Sequence, residues 1–227
     1  MSQLVFLIDV DNTLLDNDEV KNDYDAHIQI ELGPALAKRF WDLYEQVREE
    51  ESVVDIPQTL QRLREQTSLA ELDEQTYQHV ISIFDNYPFF QALYPGALET
   101  LRHLRTMGLT VIVSDGDRYF QAEKIFHSNL ADAVEGRVLL YVHKQQNLDE
   151  VMRLYPADHY AMIDDKPQIL IDTKAMLGNR VTTVFVEQGK YAATAKTVAN
   201  FSPDISVLHI ADLLDFREEQ FLTGRPS

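Results

Sequence analysis

The apolar residues near the start of the chain form one unbroken stretch, from Leu4 to Ile8. Such a run, without alternation, is typical of a strand buried on both faces, as in a parallel sheet. The run ends in two carboxylates, Asp9 and Asp11, whose spacing of two puts both side chains on one face if the strand continues through Val10. The pattern therefore predicts a buried strand with acids at its carboxyl end.

The next part of the chain shows helical spacing of apolar residues and no convincing strand. The clearest stripe follows one helical face: Leu36, Phe40, Leu43, Tyr44 and Val47. Pro34, after Gly33, marks the start of that helix. Further helices are predicted over Asp18 to Leu32, after Pro57, and around Tyr77 to Phe84. Together they predict a small helical bundle.

From Pro95 onward the pattern changes to alternating helices and strands. Strands are predicted in LTVIVSDGD (109–117) and at 137–142, 159–163, 181–186 and, as a short strand, 205–208. Helices are predicted at 97–107, 119–127, 148–154, 169–177 and through 213 and 214. This alternation indicates right-handed crossovers and a parallel sheet. The predicted fold is α/β, with a Rossmann-like parallel-sheet core (1–15 and 96–227) and an inserted α-helical cap domain (16–95).

Polar clusters fall at the ends of four predicted strands. They are Asp9 and Asp11, Ser114 to Asp117, His143 and Lys144, and Asp164 to Lys166. In a parallel sheet these ends lie on one edge, so distant segments should converge on one crevice. Neighbouring acids repel unless a cation or a shared proton lies between them, which makes a metal site the first hypothesis. The alternative reading of the first cluster is a polar turn.

Composition narrows the class of protein. The 227 residues carry a formal net charge of −17, are 45% hydrophobic and include no Cys. Without Cys there are no disulfides and no zinc–thiolate sites. The acidity argues against a nucleic-acid partner, and no apolar run is long enough to span a bilayer. With no basic, apolar leader before the first strand, we expect a cytoplasmic protein.

The chain resembles the haloacid dehalogenase (HAD) superfamily of hydrolases. Four signatures of that superfamily occur in order: Asp9-Val-Asp11-Asn12-Thr13, Ser114 after a hydrophobic strand, Lys144, and Asp164-Asp165. The helical insertion is similar to the C1-type cap, and YPGALETLRHLRTMG also resembles what such proteins carry before the second strand. One departure is Asn12, where Gly is commoner in the superfamily.

The resemblance implies a phosphatase, with a role for each signature. Asp9 would attack phosphorus and form an aspartyl-phosphate. Asp11 would protonate the leaving oxygen and then deprotonate the attacking water. Ser114 and the amides after it would hold phosphate oxygens, and Lys144 would offset the negative charge.

The resemblance also implies Mg²⁺ as cofactor. The ion would be held by Asp9, the main-chain carbonyl of Asp11 and an acid of the fourth cluster. Asp165 is the expected direct ligand and Asp164 a second, water-mediated one, although the two could be reversed. Other polar residues are predicted to lie outside the chemistry: Lys124 and Asp172 on helix surfaces, Asp115 and Asp117 in the loop, and His143 as a neighbour of the site. Lys166 is predicted either to form a local ion pair with an acid or to have no measurable role.

The predicted substrate is a small phosphorylated metabolite, and the oligomeric state is not predicted. Residues 16 to 95 contain 17 Asp and Glu against 6 Lys and Arg, which disfavours a polyanionic leaving group and favours a neutral or cationic small phosphomonoester. The aromatic residues Tyr87, Phe89, Phe90 and Tyr94 are expected to pack at the hinge or core. Alternatives are a phosphomutase, a dehalogenase of the same fold, or a non-catalytic binding or regulatory protein. A second acid after the nucleophile favours phosphoryl chemistry over dehalogenation.

Overall fold

A computed structural model describes residues 4–52, 54–116, 118–199 and 201–224. Within these ranges the strands form one parallel sheet in the order β3-β2-β1-β4-β5-β6. The strands are β1 (Leu4–Ile8), β2 (Leu109–Asp115), β3 (Val138–Tyr141), β4 (His159–Asp164), β5 (Val181–Val186) and β6 (Ile205–Val207). The predicted α/β fold with a parallel sheet is confirmed.

The strand β1 is covered on both faces, which explains its unbroken apolar sequence. Phe6 and Ile8 belong to one buried cluster, which also contains residues of the helices that precede β2. Val5 and Leu7 belong to a second cluster, on the opposite face. All five residues of β1 are buried between β2 and β4.

Helices connect the strands and form the segment between β1 and β2. The α-helices are α1 (Asn17–Glu51), α2 (Ile56–Glu65), α3 (Glu74–Asp85), α4 (Ala97–Leu104), α5 (Arg118–His127), α6 (Leu130–Ala133), α7 (Leu148–Leu154), α8 (Pro167–Leu177), α9 (Gly189–Ala195) and α10 (Glu218–Thr223). Short 3₁₀ helices occupy Phe89–Ala92, Lys144–Gln146, Gly178–Arg180 and Ile210–Asp215. No helix in the described part of the chain is long and apolar enough to cross a membrane.

The long helix α1 is broken at Gly33. This residue has φ 70° and ψ 167°, a backbone conformation that other residues rarely adopt. Pro34 begins a new helical segment directly after the break, as the sequence predicted. The two halves turn back on each other, and Trp41 Nε1 donates a hydrogen bond to Asp25 at 2.6 Å.

Helices α1, α2 and α3 pack together around aromatic side chains. The ring centroids of Tyr24 and Phe84 lie 4.6 Å apart, and those of Phe40 and Phe84 lie 5.6 Å apart. Tyr87 and Phe89 join this packing, with centroids 5.0 Å apart. We call residues 16–95 the cap segment; its boundaries as a separate domain remain a prediction.

The predicted elements differ from the structure mainly near the carboxyl end. The helix expected through Leu213 and Leu214 is a 3₁₀ helix, and the short strand from Ile205 ends one residue early, at Val207. Helices α6, α9 and α10 were not predicted. Each has at most seven residues, too few to show an apolar period of 3.6.

Candidate active site

The carboxyl ends of four strands bring the predicted polar clusters together. Asp9 follows β1, Ser114 and Asp115 end β2, Lys144 follows β3 and Asp164 ends β4. Because β1 lies between β2 and β4 in the sheet, segments more than a hundred residues apart meet at one edge. Asp117 lies outside the described residues.

Three buried carboxylates lie close together, and two of them contact the ammonium group of Lys144. Asp9, Asp164 and Asp165 each offer one oxygen, and these oxygens lie within 4.8 Å of one another. Lys144 Nζ donates a hydrogen bond to Asp9 Oδ1, lies 2.6 Å from Asp164 Oδ2, and donates to the carbonyl of Val113 at 3.2 Å. Burial alone would lower the pKa of Lys144, but Asp164 and Asp9 raise it above its ordinary value. The lysine is therefore held as a cation.

Several oxygens of this acidic trio have no hydrogen-bond partner among the described residues. They are Asp9 Oδ2 and both carboxylate oxygens of Asp165. Burial, with the charges of Asp164 and Asp9, raises the pKa of Asp165 to about 9. Burial also raises the pKa of Asp9, although Lys144 opposes the shift. Unsatisfied buried carboxylate oxygens that converge on one point fit a hard, divalent cation.

Asp11 has a different environment from Asp9. Its Oδ1 accepts hydrogen bonds from Lys124 Nζ at 2.7 Å and from Gln121 Nε2 at 3.4 Å. Burial would raise the pKa of Asp11, but the charge and hydrogen bond of Lys124 lower it below its usual value. The side chain of Asp11 thus faces α5 and is not a member of the acidic trio.

The prediction that Lys124 is a solvated surface charge is wrong. Its side chain is only 2% exposed and also donates to Asn17 Oδ1 at 2.8 Å. Helical spacing does not reveal which face of α5 points inward. Gln121 and Lys124, three residues apart, share the face that meets the site. That pair of polar residues was the available sequence signal, and it was missed.

The residues at the end of β2 are held by hydrogen bonds. Ser114 is buried, and its hydroxyl accepts a bond from Gln121 Nε2 at 2.9 Å. Asp115 Oδ1 accepts a hydrogen bond from the backbone amide of Lys144 at 2.6 Å, and burial raises the pKa of Asp115. The amide of Gly116, one of those expected to hold phosphate, donates instead to the carbonyl of Tyr141 at 2.9 Å. Asp115 therefore shapes the loop around Lys144.

The remaining polar residues singled out in the sequence differ in how close they lie to the acidic trio. His143 is exposed, whereas Asp172 lies on α8 and accepts a hydrogen bond from Gln168. Lys166 is half-buried beside the acids: burial would lower its pKa, but Asp9 and Asp164 raise it well above the usual range. Lys166 is thus a second cation of this site.

Asn12 connects the loop after β1 to the cap segment. Its φ of 61° lies in the left-handed region, where Asn is better tolerated than most residues. Its Oδ1 accepts hydrogen bonds from the backbone amides of Asn17 at 3.0 Å and Asp18 at 3.2 Å, at the start of α1. A Gly at this position could take the same φ but could not form these bonds. A Cβ atom on Gly189 would lie 2.5 Å from Asn12 Cβ, so α9 begins in direct contact with this loop.

A cavity of about 170 Å³ lies between this sheet edge and the cap segment. Asp11, Asn12 and Asp115 line its floor. Its aromatic lining comprises Tyr24, Trp41, Tyr44, Phe120 and Tyr191. Its basic lining comprises Lys21, Lys124, Lys166 and Lys190. The cavity thus joins the acid at the sheet edge to a wall of aromatic and cationic groups. The lining does not include the aromatic residues near the end of the cap segment, Tyr87, Phe89, Phe90 and Tyr94.

Comparison with solved structures finds the same architecture in other hydrolases. A haloacid dehalogenase-like hydrolase from Burkholderia xenovorans LB400 is 45% identical and superposes with a TM-score of 0.83, covering 96% of this chain and 100% of that chain. The HAD-hydrolase YfnB from Bacillus subtilis, bound to magnesium, is 13% identical, with a TM-score of 0.59 and coverage of 95% and 100%. An L-2-haloacid dehalogenase from Xanthobacter autotrophicus, with chloropropionic acid covalently bound, is 17% identical, with a TM-score of 0.54 and coverage of 94% and 97%. The last two show the fold alone.

The sequence itself gives the same family. A search among curated proteins finds no match. The sequence model of the haloacid dehalogenase-like hydrolases matches residues 4–178, which include β1, the cap segment and the strand ends that carry the acids. The chain therefore belongs to the haloacid dehalogenase-like hydrolase family.

Proposed function

We propose that the protein hydrolyses small phosphomonoesters, with Mg²⁺ as cofactor and through an aspartyl-phosphate at Asp9. The observation that carries this proposal is the acidic trio of Asp9, Asp164 and Asp165 beside Lys144. When all three carboxylates are ionised, Lys144 and Lys166 leave one negative charge uncompensated, and a phosphate adds more. A bound divalent cation would balance this charge and let a carboxylate approach an anionic phosphate. Magnesium in the fold relative from Bacillus subtilis supports the choice of ion.

The two oxygens of Asp9 have different surroundings that suit a nucleophile. Lys144 binds Oδ1, whereas Oδ2 has no partner among the described residues. In the first step Oδ2 forms a bond to phosphorus, the bond from phosphorus to the leaving oxygen breaks, and Asp11 protonates that oxygen. In the second step Asp11 takes a proton from the water that attacks the aspartyl-phosphate. The pairing of Asp11 with Lys124 favours its carboxylate form, which suits the second step; for the first step Asp11 must carry the proton that it donates, and that proton returns to it in the second.

Ser114 and Lys144 would bind the phosphoryl group. The Ser114 hydroxyl accepts a hydrogen bond from Gln121, so its own proton can be donated to a phosphate oxygen. Lys144 would keep Asp9 oriented and offset charge at phosphorus as the bond forms. In this arrangement Asp164 and Asp165 would hold the cation together with Asp9 and the main-chain carbonyl of Asp11.

Dehalogenation of a 2-haloacid is the second candidate, because Asp9 could also attack carbon. The likeness to the Xanthobacter autotrophicus dehalogenase, which carries chloropropionic acid covalently bound, motivates it. A departing halide needs no proton and a carboxylate attacking carbon needs no divalent cation. Neither Asp11 at the cavity floor nor the unpartnered oxygens of Asp165 would then have a task. A phosphomutase would use the same groups but would release no phosphate.

One assay separates these candidates. Purified protein with Mg²⁺ is given p-nitrophenyl phosphate and, separately, L-2-chloropropionate, and phosphate and chloride release are measured. Phosphate release that is absent in Asp9→Asn supports the proposal, because the variant also controls for contaminating phosphatases. Chloride release without phosphate release would establish the dehalogenase instead. The absence of both would favour a non-catalytic role.

A further inference from the structure

The lysines of this acidic protein are concentrated at one place. The chain has eight Lys and a net charge of −17, yet four of the eight line one cavity, the one that Asp11 also lines. Two of these four already have anionic neighbours. Lys124 pairs with Asp11, and Lys166 lies beside the acidic trio. The other two, Lys21 and Lys190, form no ion pair with a described carboxylate; the lysines that do are Lys38, Lys124, Lys144 and Lys174.

Lys21 and Lys190 both line the cavity and come from different helices, which meet at Asp18. The backbone amide of Lys190, in α9, donates to Asp18 Oδ2 at 2.9 Å. Asp18 and Lys21 are three residues apart in α1 and therefore share a helical face. Each ammonium group also lies against a ring of the cavity wall: Lys21 Nζ is 5.5 Å from the centroid of Tyr44, and Lys190 Nζ is 5.3 Å from that of Tyr191.

The charge of the cavity lining differs from the net charge of the cap segment, on which the expectation of a neutral or cationic substrate was based. None of the 17 acids among residues 16–95, all of them described, lines the cavity. The cap segment contributes only apolar, aromatic and neutral polar groups and Lys21 to the wall. Its net charge therefore describes its outer surface, whereas the surface that a leaving group would meet is cationic.

We infer that the substrate's alcohol portion carries a second anionic group, bound by Lys21 and Lys190, on an apolar or aromatic body that lies against the ring-lined wall. This inference rests on the proposed phosphatase function and specifies its substrate class. A cavity of about 170 Å³ is the right size for a group of one ring, since an engineered cavity of about 150 Å³ binds benzene. Charge-assisted contacts to a carboxylate or second phosphate would satisfy the two ammonium groups.

A matched set of aryl phosphates tests this inference. We compare 4-carboxyphenyl phosphate with its neutral isostere, 4-carbamoylphenyl phosphate, and with the cationic 4-(aminomethyl)phenyl phosphate. We expect kcat/KM to be about tenfold higher for the carboxylate than for the carboxamide, the scale of one or two charge-assisted contacts. The carboxamide is the more electron-withdrawing substituent, so leaving-group reactivity alone would give the opposite order. Equal or reversed values in an active enzyme would overturn the inference and leave the phosphatase assignment intact.

Substitution of the lysines assigns the preference to them. Lys21→Met and Lys190→Met should each bring the carboxylate-to-carboxamide ratio of kcat/KM closer to one. Lys196→Met is the matched control, because this exposed lysine lies outside the cavity and the same charge is lost. A ratio that falls as much in Lys196→Met as in the cavity variants would show only the effect of net charge and would overturn the assignment.

Trp41 gives a readout that does not depend on turnover. It is the only tryptophan of the chain and lines the cavity, so its fluorescence reports occupancy. Titration of the Asp9→Asn variant with the three esters and Mg²⁺ should give the tightest binding for the carboxylate. That preference, together with no hydrolysis by the wild-type protein, would overturn the phosphatase assignment while the anion site stands. Equal binding of all three esters would overturn the anion site.

Discussion

The Nζ atom of Lys124 lies 2.7 Å from Asp11 Oδ1, which joins helix α5 to the loop at the carboxyl edge of the sheet. The lysine is buried and Asp11 is 23% exposed, so loss of either partner leaves the other in a site poor in water. We expect Lys124→Met to lower the free energy of unfolding by about 1–3 kcal/mol in urea titrations. The exposed pair of Lys38 and Asp42 provides the control, and Lys38→Met should cost less than about 0.5 kcal/mol. Equal effects of the two substitutions would contradict the burial argument.

Metal binding should be visible in thermal stability as well as in activity. Because a ligand that binds only the folded state stabilises it, Mg²⁺ should raise the Tm of the wild-type protein. Asp165→Asn should abolish that rise, whereas Asp172→Asn, which changes an acid away from the trio, should keep it. EDTA should remove phosphatase activity and Mg²⁺ should restore it. Full activity in excess chelator would exclude the metal assignment.

Substitution of Asp9 and substitution of Asp11 should impair different steps of the reaction. Asp9→Asn should form no covalent intermediate, since a carboxamide is a poor nucleophile. Asp11→Asn should lower the rate by roughly 10²- to 10⁴-fold, the usual contribution of a positioned acid or base. With p-nitrophenyl phosphate, whose leaving group needs little protonation, the first step should survive better than the second. Phosphate should then accumulate on Asp9 and appear as a mass gain on its peptide; a label on Ser114 would refute the assignment.

The sequence predicted the position of a residue best where an acidic residue follows an apolar run that clearly indicates a strand. The acids that follow β1 and end β4 could be placed on one sheet edge because parallel strands have only one carboxyl edge. The environments of Lys124 and Lys21 could not be predicted in this way. Their burial and pairing depend on which face of a helix meets another element, and a helix with polar residues on several faces does not reveal this. For the same reason the summed charge of the cap segment gave no guide to its inner surface.

His159 should make stability depend on pH. Burial and the nearby Lys174 lower its pKa in the folded state, whereas in the unfolded chain it titrates near its ordinary value, about 6.5. Below that value the unfolded chain binds more protons, so stability should fall as pH decreases from 7 to 5. His159→Gln should flatten this decline in urea titrations, because Gln can still donate to Thr182, which lies 2.9 Å from His159 Nε2. Equal slopes for the wild-type protein and His159→Gln would contradict this assignment.

Asn12 should stabilise the protein through its side chain despite its unfavourable φ. Asn12→Gly relieves the left-handed conformation but loses both bonds to the amides of α1, whereas Asn12→Ala loses the bonds and keeps the strain. We therefore expect Asn12→Ala to be the less stable of the two, by about 1 kcal/mol. Asn12→Asp, which keeps an acceptor, should be closest to wild type. A stability of Asn12→Ala equal to that of Asn12→Gly would contradict the role of φ.

The size of the cavity depends on the turn that breaks α1 at Gly33. As a continuous rod, α1 would hold Tyr24 and Trp41 about 26 Å apart, at 1.5 Å per residue. The turn instead folds the helix back, so that both side chains line the same wall and Trp41 bonds to Asp25. Residues added or removed beside Gly33 would rotate one half of the helix against the other and change which side chains face the substrate. A chain of this architecture could thus acquire a new leaving-group preference with its catalytic loops unaltered.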